Sequence, residues 1–256
     1  AFIKQVEDLN ADIFIVVAFR MLPEIVWSMP KMGTFNLHGS LLPLYRGAAP
    51  INWAIIKGET KSGVTTFLID KEIDTGNILM QRECPVQERE TIGTLYEKLM
   101  DIGAGLVVET VQGLVNGTLT PKPQEGRITG APKLNKELAR IKWDMKDADQ
   151  PDSCCATLID RLVRGLSPYP AAITVMENAE KQHEFKIFEC SVVKQANPDN
   201  TSQAGTIQSD SKTYIHVTCA DGSVLSLQQI QMAGKKRMNV KEFLMGFRNI
   251  ESFKFI

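Results

Sequence analysis

The chain is short of cysteine and histidine, carries no marked charge imbalance and has no long apolar run. Its five cysteines, Cys84, Cys154, Cys155, Cys190 and Cys219, form an odd set without paired metal-ligand spacing. That excludes a disulfide framework and a cysteine-based metal site, and the thiols read as reduced in a cytoplasmic protein. No stretch approaches the roughly 20 consecutive apolar residues of a membrane-spanning helix. The amino terminus shows no basic segment leading into an apolar one, so neither a membrane partner nor a secretory leader is expected. The net charge is only −1, and at 256 residues with 43% hydrophobic content there is ample material for one large core or two modest ones. A doubly wound sheet ordinarily opens on a strand and a Gly-rich turn. Here the chain opens on Ala1 in a helix over Phe2–Leu9 that feeds a strand over Ile13–Val17, so earlier strand and helix units are expected to be missing.

What the chain does have is Asn36-Leu37-His38-Gly39-Ser40-Leu41-Leu42-Pro43, an amide and an imidazole two residues apart where an apolar run breaks off. Alternate positions of a strand share a face, so the pair aims two polar groups at one point. A continuous apolar, β-prone run, Ile13 to Phe19, precedes it, and Asp74-Thr75-Gly76 follows a second β-prone run, Val64 to Ile69. The layout predicts Asn36, His38 and Asp74 converging at the carboxyl edge of a parallel sheet. Alone, Asp74-Thr75-Gly76 is a weak turn signal; joined to the upstream pair it becomes a site. His183 and His216 lack such flanks and read as structural.

The alternation of strands and helices up to about Gly117 argues for an α/β fold, an incomplete doubly wound and mostly parallel sheet covered on both faces. A helix over Thr91–Asn116 is the clearest element, with Leu95, Leu99, Ile102, Leu106, Val111 and Leu114 near a 3.6 period and Gly117 as its stop. Three prolines and two glycines between Thr120 and Pro132 read as a linker. Past a short helix around Cys155–Arg164, β-prone runs at Ala172–Met176, Phe185–Val193, Gly205–Gln208, Tyr214–Cys219 and Val224–Gln231 favour a small antiparallel barrel. The expected division is 1–119, 120–135 and 136–256.

These motifs carry a resemblance to the folate-dependent formyltransferases. The Asn-x-His-x-Ser-Leu-Leu-Pro pattern is shared across that family, and Asp74-Thr75-Gly76, the linker and the β-rich domain add to the resemblance. Arg46-Gly47-Ala48-Ala49-Pro50-Ile51 and Ala233-Gly234-Lys235-Lys236-Arg237-Met238 narrow it to the methionyl-tRNA formyltransferases. The resemblance covers the chain from Ala11 onward and implies a catalytic domain followed by a small OB-like barrel that binds tRNA. It implies that 10-formyltetrahydrofolate is the formyl donor, with no metal, that the acceptor is methionyl initiator tRNA, and that the protein is a monomer. It assigns catalysis to Asn36, His38 and Asp74, with a water relaying protons. It places the folate against Phe19, Arg20, Met21, Leu22 and the loop Ser40, Leu41, Leu42 and Pro43, whose main chain reads the edge of the pterin ring. Substrate contact falls to Arg46 and to Lys235, Lys236 and Arg237.

The chemistry asks for the same residue types independently. Formyl transfer between nitrogens passes through a tetrahedral oxyanion, which needs an uncharged donor such as an amide N–H. A group titrating near neutrality must move a proton from the attacking to the leaving nitrogen, and a carboxylate beside His38 is expected to favour its charged form. Charge speaks weakly for the acceptor: residues from Ala131 onward hold 17 Lys and Arg against 15 Asp and Glu, whereas residues 1–130 hold 12 against 15. Two alternatives stay open. One is a formyltransferase or hydrolase with a small acceptor, which would need no second domain; the other is a folate- or RNA-binding fragment without activity.

Overall fold

The computed structural model describes residues 2–17, 21–196 and 203–256, which form two compact units. The first comprises residues 1–54, 59–88 and 94–133; the second comprises 55–58, 89–93 and 134–256. Among the described residues no helix is long and apolar enough to cross a membrane.

In the first unit, helix α1 (Phe2–Asp8), strand β1 (Phe14–Val17) and the short helix α2 (Glu24–Trp27) lead to β2 (Thr34–His38). A two-residue strand β3 (Arg46–Gly47) and helix α3 (Pro50–Ile56) follow, then β4 (Lys61–Leu68), β5 (Ile78–Pro85), the long helix α4 (Ile92–Val115) and β6 (Gly130–Ala131). The sheet order is β1-β2-β4-β5. Its β1–β2 ladder is parallel, as the strand-helix alternation predicts, but β4 runs antiparallel to both β2 and β5. The sheet is thus parallel on one side only. Asp74 accordingly reaches His38 on the return loop between β4 and β5 and not from the carboxyl end of a parallel strand.

Helix α4 covers one face of this sheet. Its inward, buried stripe is Leu95, Leu99, Gly103, Leu106 and Thr110. Ile102, Val111 and Leu114, expected from period alone, are only half-buried. Two contacts turn the stripe. A Cβ on Gly103 would stand 2.8 Å from the Leu37 side chain, so the helix lies close against β2 there. The Thr110 hydroxyl donates to Leu106 O and meets Thr66 Oγ1 at 2.9 Å, which satisfies two buried hydroxyls that periodicity does not register. Because α4 occupies the Leu37 side of β2, Asn36 and His38 face the other way.

The second unit contains helix α5 (Cys155–Leu166), then β7 (Ala172–Glu177), β8 (Gln182–Lys194), β9 (Ile207–Ser209), β10 (Ile215–Thr218), β11 (Val224–Met232) and β12 (Met238–Asn239). Helix α6 (Val240–Gly246), a 3₁₀ turn (Ile250–Ser252) and β13 (Lys254–Phe255) complete it. The antiparallel order is β13-β7-β8-β11-β10-β9. A Thr206–Lys254 bridge and the bond from Phe255 N to Gly205 O draw the two ends together, so the sheet nearly closes into the expected barrel. Ile159, Leu162, Val163 and Leu166 of α5 share one buried cluster with the strand residues Ile187, Val217 and Leu225. The first turn of α5 is capped from afar: Cys155 N donates to Asp221 Oδ2 at 2.7 Å and Ala156 N to Ser223 Oγ at 3.0 Å.

Residues 120–133, read from composition as linker, have no long strand or helix but are laid onto the first unit. Lys122 pairs with Ile78, β6 pairs in parallel with β3, and Ala131 is 1% exposed. Proline and glycine do mark irregular backbone here; the backbone is bonded all the same, through groups that composition cannot locate.

Candidate active site

Asn36 and His38 sit two residues apart on β2, each 6% exposed, on the same face. Cross-strand Phe67 on β4 packs edge-on to the His38 ring at 6.3 Å. The Asn36 Oδ1 atom is buried with no hydrogen-bond partner among the described residues. Such a group in a sheet face costs stability, and functional sites are where it is tolerated.

His38 Nε2 lies 2.9 Å from the Tyr45 carbonyl, which can only accept, so Nε2 carries the proton. The bare Nδ1 then faces Asp74 Oδ2 at 3.6 Å, and that same oxygen accepts from Gly47 N at 2.8 Å. Burial holds the His38 pKa below its ordinary 6.5, outweighing the opposing pull of Asp74 and of the Tyr45 carbonyl. The neutral imidazole therefore prevails at neutral pH: Asp74 does favour the charged form, as the sequence leads one to expect, but burial outweighs it. Desolvation of a nearly enclosed ring wins over one carboxylate at 3.6 Å. The result is two proton acceptors, Nδ1 and Oδ2, opening onto one point.

The backbone around this pair is tightly specified. Tyr45 and Asp74 both adopt left-handed conformations, at φ 60° and 56°. Tyr45 is held at three points: its N–H donates to Thr129 Oγ1 at 2.8 Å, its hydroxyl to Glu59 Oε1 at 2.5 Å, and its carbonyl takes the His38 proton. Burial and Glu59 push its phenol far above the usual tyrosine range. Gly47, at φ 123°, passes so close to Ala131 that a Cβ would stand 2.7 Å from its carbonyl oxygen.

The loop Ser40–Pro43 is fixed by a hub on the next strands. Thr65 Oγ1 donates to Ser40 O at 2.6 Å and accepts from Leu42 N at 3.1 Å. Gln81 Nε2 donates both to Thr65 Oγ1 and to Leu42 O, each at 2.9 Å, while Ser40 Oγ bonds to Leu44 O. Ser40, Leu42 and Pro43 are buried and Leu41 is half-buried. The Ser40 carbonyl and both main-chain groups of Leu42, expected from the sequence to read a heterocycle, are already engaged by Thr65 and Gln81. Met21 is exposed and Leu22 half-buried, whereas Phe19 and Arg20 lie outside the described residues.

Arg46 is half-buried, and its Nε and Nη2 donate to Gln124 Oε1 at 3.1 and 2.7 Å. Two of its five donors are thereby engaged within the protein. Lys235, Lys236 and Arg237 are exposed on the turn between β11 and β12 of the second unit. Arg237 stacks over the Phe188 ring at 4.3 Å and bonds to Gln229, while Lys235 and Lys236 have no ion-pair partner among the described residues. His183 packs against Phe247 and Phe253, the structural role expected of it. Among the described residues no three His, Cys, Asp or Glu side chains are grouped to hold a metal ion.

The unit in which a sheet strand presents an amide and a neutral imidazole beside a loop carboxylate, with the small barrel that follows it, belongs to the formyl transferases. The family of that description matches residues 1–111, and its "Formyl transferase, C-terminal domain" matches residues 133–248. The methionyl-tRNA formyltransferase of Parabacteroides distasonis is 45% identical over 260 residues, covering 99% of this chain and 76% of that protein. That of Phocaeicola vulgatus is 47% identical over 252 residues, covering 96% and 74%. This chain belongs to the methionyl-tRNA formyltransferase family. Among solved structures, HypX from Aquifex aeolicus in complex with tetrahydrofolic acid shares the fold at TM-score 0.64 and 20% identity, covering 94% of this chain and 40% of that one.

Proposed function

We propose that this chain transfers the formyl group of 10-formyltetrahydrofolate to the α-amino group of methionine on initiator tRNA, in the cytoplasm, using Asn36, His38 and Asp74. The observation that carries the reading is the paired acceptor site, His38 Nδ1 and Asp74 Oδ2 at 3.6 Å, on the strand where the buried amide oxygen of Asn36 has no partner among the described residues. The likeness to methionyl-tRNA formyltransferases over nearly the whole chain supports the acceptor, and tetrahydrofolic acid bound to HypX supports the donor class.

The residues divide the work as follows. An attacking amine nitrogen, or a water beside it, donates its proton toward Nδ1 and Oδ2. As the new C–N bond forms, the formyl oxygen gains charge, which the Asn36 amide N–H stabilises. His38, now an imidazolium beside Asp74, returns its proton to the departing nitrogen as the old C–N bond breaks. Asp74 stabilises that transient charge without leaving its bond to Gly47 N. The Ser40–Pro43 loop, with Met21 and Leu22, supplies the wall for the pterin ring.

The experiment is transfer of labelled formyl from 10-formyltetrahydrofolate to charged initiator tRNA, with a free small-molecule amine as the competing acceptor. Transfer to the amine alone would overturn the assignment. Because the reactive imidazole is neutral and its pKa lies below 6.5, kcat/KM is expected to hold level above neutrality and fall tenfold per pH unit once His38 protonates. A rate that rises on acidification from pH 7 to 5 would reverse the roles.

Lys235, Lys236, Arg237 and the free donors of Arg46 supply phosphate contacts in this reading. Reversing Lys235 and Lys236 to Glu is expected to weaken tRNA binding and to flatten the slope of log K against log salt by about 2, near 0.9 per phosphate contact. An unchanged slope would remove the β11–β12 turn from the interface.

A further inference from the structure

Gln124 lies in the Pro- and Gly-rich segment 120–133, yet every polar atom of its side chain is committed. Oε1 accepts both Arg46 bonds, while Nε2 donates to Asp74 O and to Gly76 O, each at 2.9 Å. The two carbonyls bracket the turn that presents the Asp74 carboxylate. That turn is otherwise demanding: Asp74 is left-handed, and at Gly76 the chain passes so near Leu68 that a Cβ would lie 1.7 Å from its carbonyl oxygen.

Five residues on, the same segment grips the other partner. Thr129 Oγ1 accepts from Tyr45 N, Thr129 O accepts from Arg46 N at 2.9 Å, and Ala131 O accepts from Ala49 N at 3.2 Å. Tyr45 carries the carbonyl that orients His38, and Gly47 carries the N–H that holds Asp74. We infer that residues 124–131 form a positioning strap, and that Gln124 is the residue that sets the Asp74 carboxylate against His38 Nδ1. Arg46 then serves the first unit as the anchor of Gln124, in addition to any contact with substrate. This rests on the formyl-transfer reading only for its effect on rate.

The test is Gln124→Met, which keeps length and removes all four bonds, in the full chain. Three readouts are taken together: the thermal midpoint, the titration of His38 followed by NMR of its ring, and kcat with KM for 10-formyltetrahydrofolate. A misplacement of about 1 Å at a reacting pair costs on the order of 100-fold in rate. The expected result is a drop in kcat of that order with KM within about twofold, because the pterin wall is held by Thr65 and Gln81. The His38 titration is expected to move to still lower pH, since Asp74 is the charge that raises it. If Gln124→Met fails to fold, Gln124→Glu gives the same reading, keeping an acceptor for Arg46 while losing both donors to the turn. A folded variant with unaltered His38 titration and unaltered kcat overturns the inference. A wild-type chain that transfers no formyl group, but whose His38 titration still moves in the variant, overturns the function and leaves the strap standing.

Discussion

Asn36→Ala is expected to lose about 100- to 1,000-fold in kcat with little change in stability, the range for removal of one oxyanion donor from a preorganised site. The two effects separate for a structural reason. Deleting a buried side chain ordinarily leaves either a cavity or an orphaned partner. Here Oδ1 has no partner among the described residues, so no other group is orphaned when that oxygen goes, and the desolvation cost of the amide is removed with it. The neighbouring His38 keeps its own acceptor, the Tyr45 carbonyl, and its contact with Phe67. Steady-state kinetics beside urea denaturation decide the matter: kcat near wild type would deny Asn36 a part in the transition state, and a loss of activity matched by unfolding would make its role structural.

Asp160→Ala is expected to destabilise the second unit by about 3–5 kcal/mol, the usual cost of removing one member of a buried ion pair. Asp160 lies on α5 with its side chain 8% exposed. It accepts from Arg164 Nε, one turn along the helix, and from Arg89 Nη1, both at 2.9 Å. Arg164 is 12% exposed and, among the described residues, would retain its bond to the Glu90 carbonyl, so its charge would be left in a poorly solvated place. Arg89 is half exposed and recovers water, which puts the effect toward the lower end of the range. The exposed pair Lys61–Glu83 is the control, with side chains 62% and 64% accessible; Lys61→Ala should change stability by no more than about 1 kcal/mol. Equal urea midpoints for the two variants would sink the distinction.

The sequence made some of this readable and hid the rest for identifiable reasons. Asn36 and His38 were legible because a strand's two-residue repeat is local, and Asp74-Thr75-Gly76 because a left-handed position and a close approach favour those residue types. The barrel strands were legible from short β-prone runs between turns, and five of them fall close to where the pattern puts them. The antiparallel half of the first sheet was not, since alternation of elements does not say in which direction a strand returns. Nor were Gln124, Thr65, Gln81 and the Tyr45 carbonyl. Each acts on a loop across 7 to 50 residues of sequence, through single hydrogen bonds that leave no periodic or compositional trace. The pull of Asp74 on His38 is legible, but the net protonation state is not, because a sequence names a neighbouring charge and not the depth at which the ring is buried.

The borrowed cap of α5 bears on how the second unit assembles. The amides of Cys155 and Ala156 find their acceptors on Asp221 and Ser223, beyond the rest of the helix and the four strands β7 to β10. A 12-residue helix is marginal alone in water, and this one has no side-chain cap of its own. Its start is completed only when the tight turn before β11 has formed, while the strands of the barrel in turn need the apolar face of α5 to close over. Helix and barrel are thus each other's template, and neither has a finished form without the other. The unit is therefore expected to gain and lose its structure in a single cooperative step, with the first turn of α5 as protected against amide exchange as the barrel's own centre.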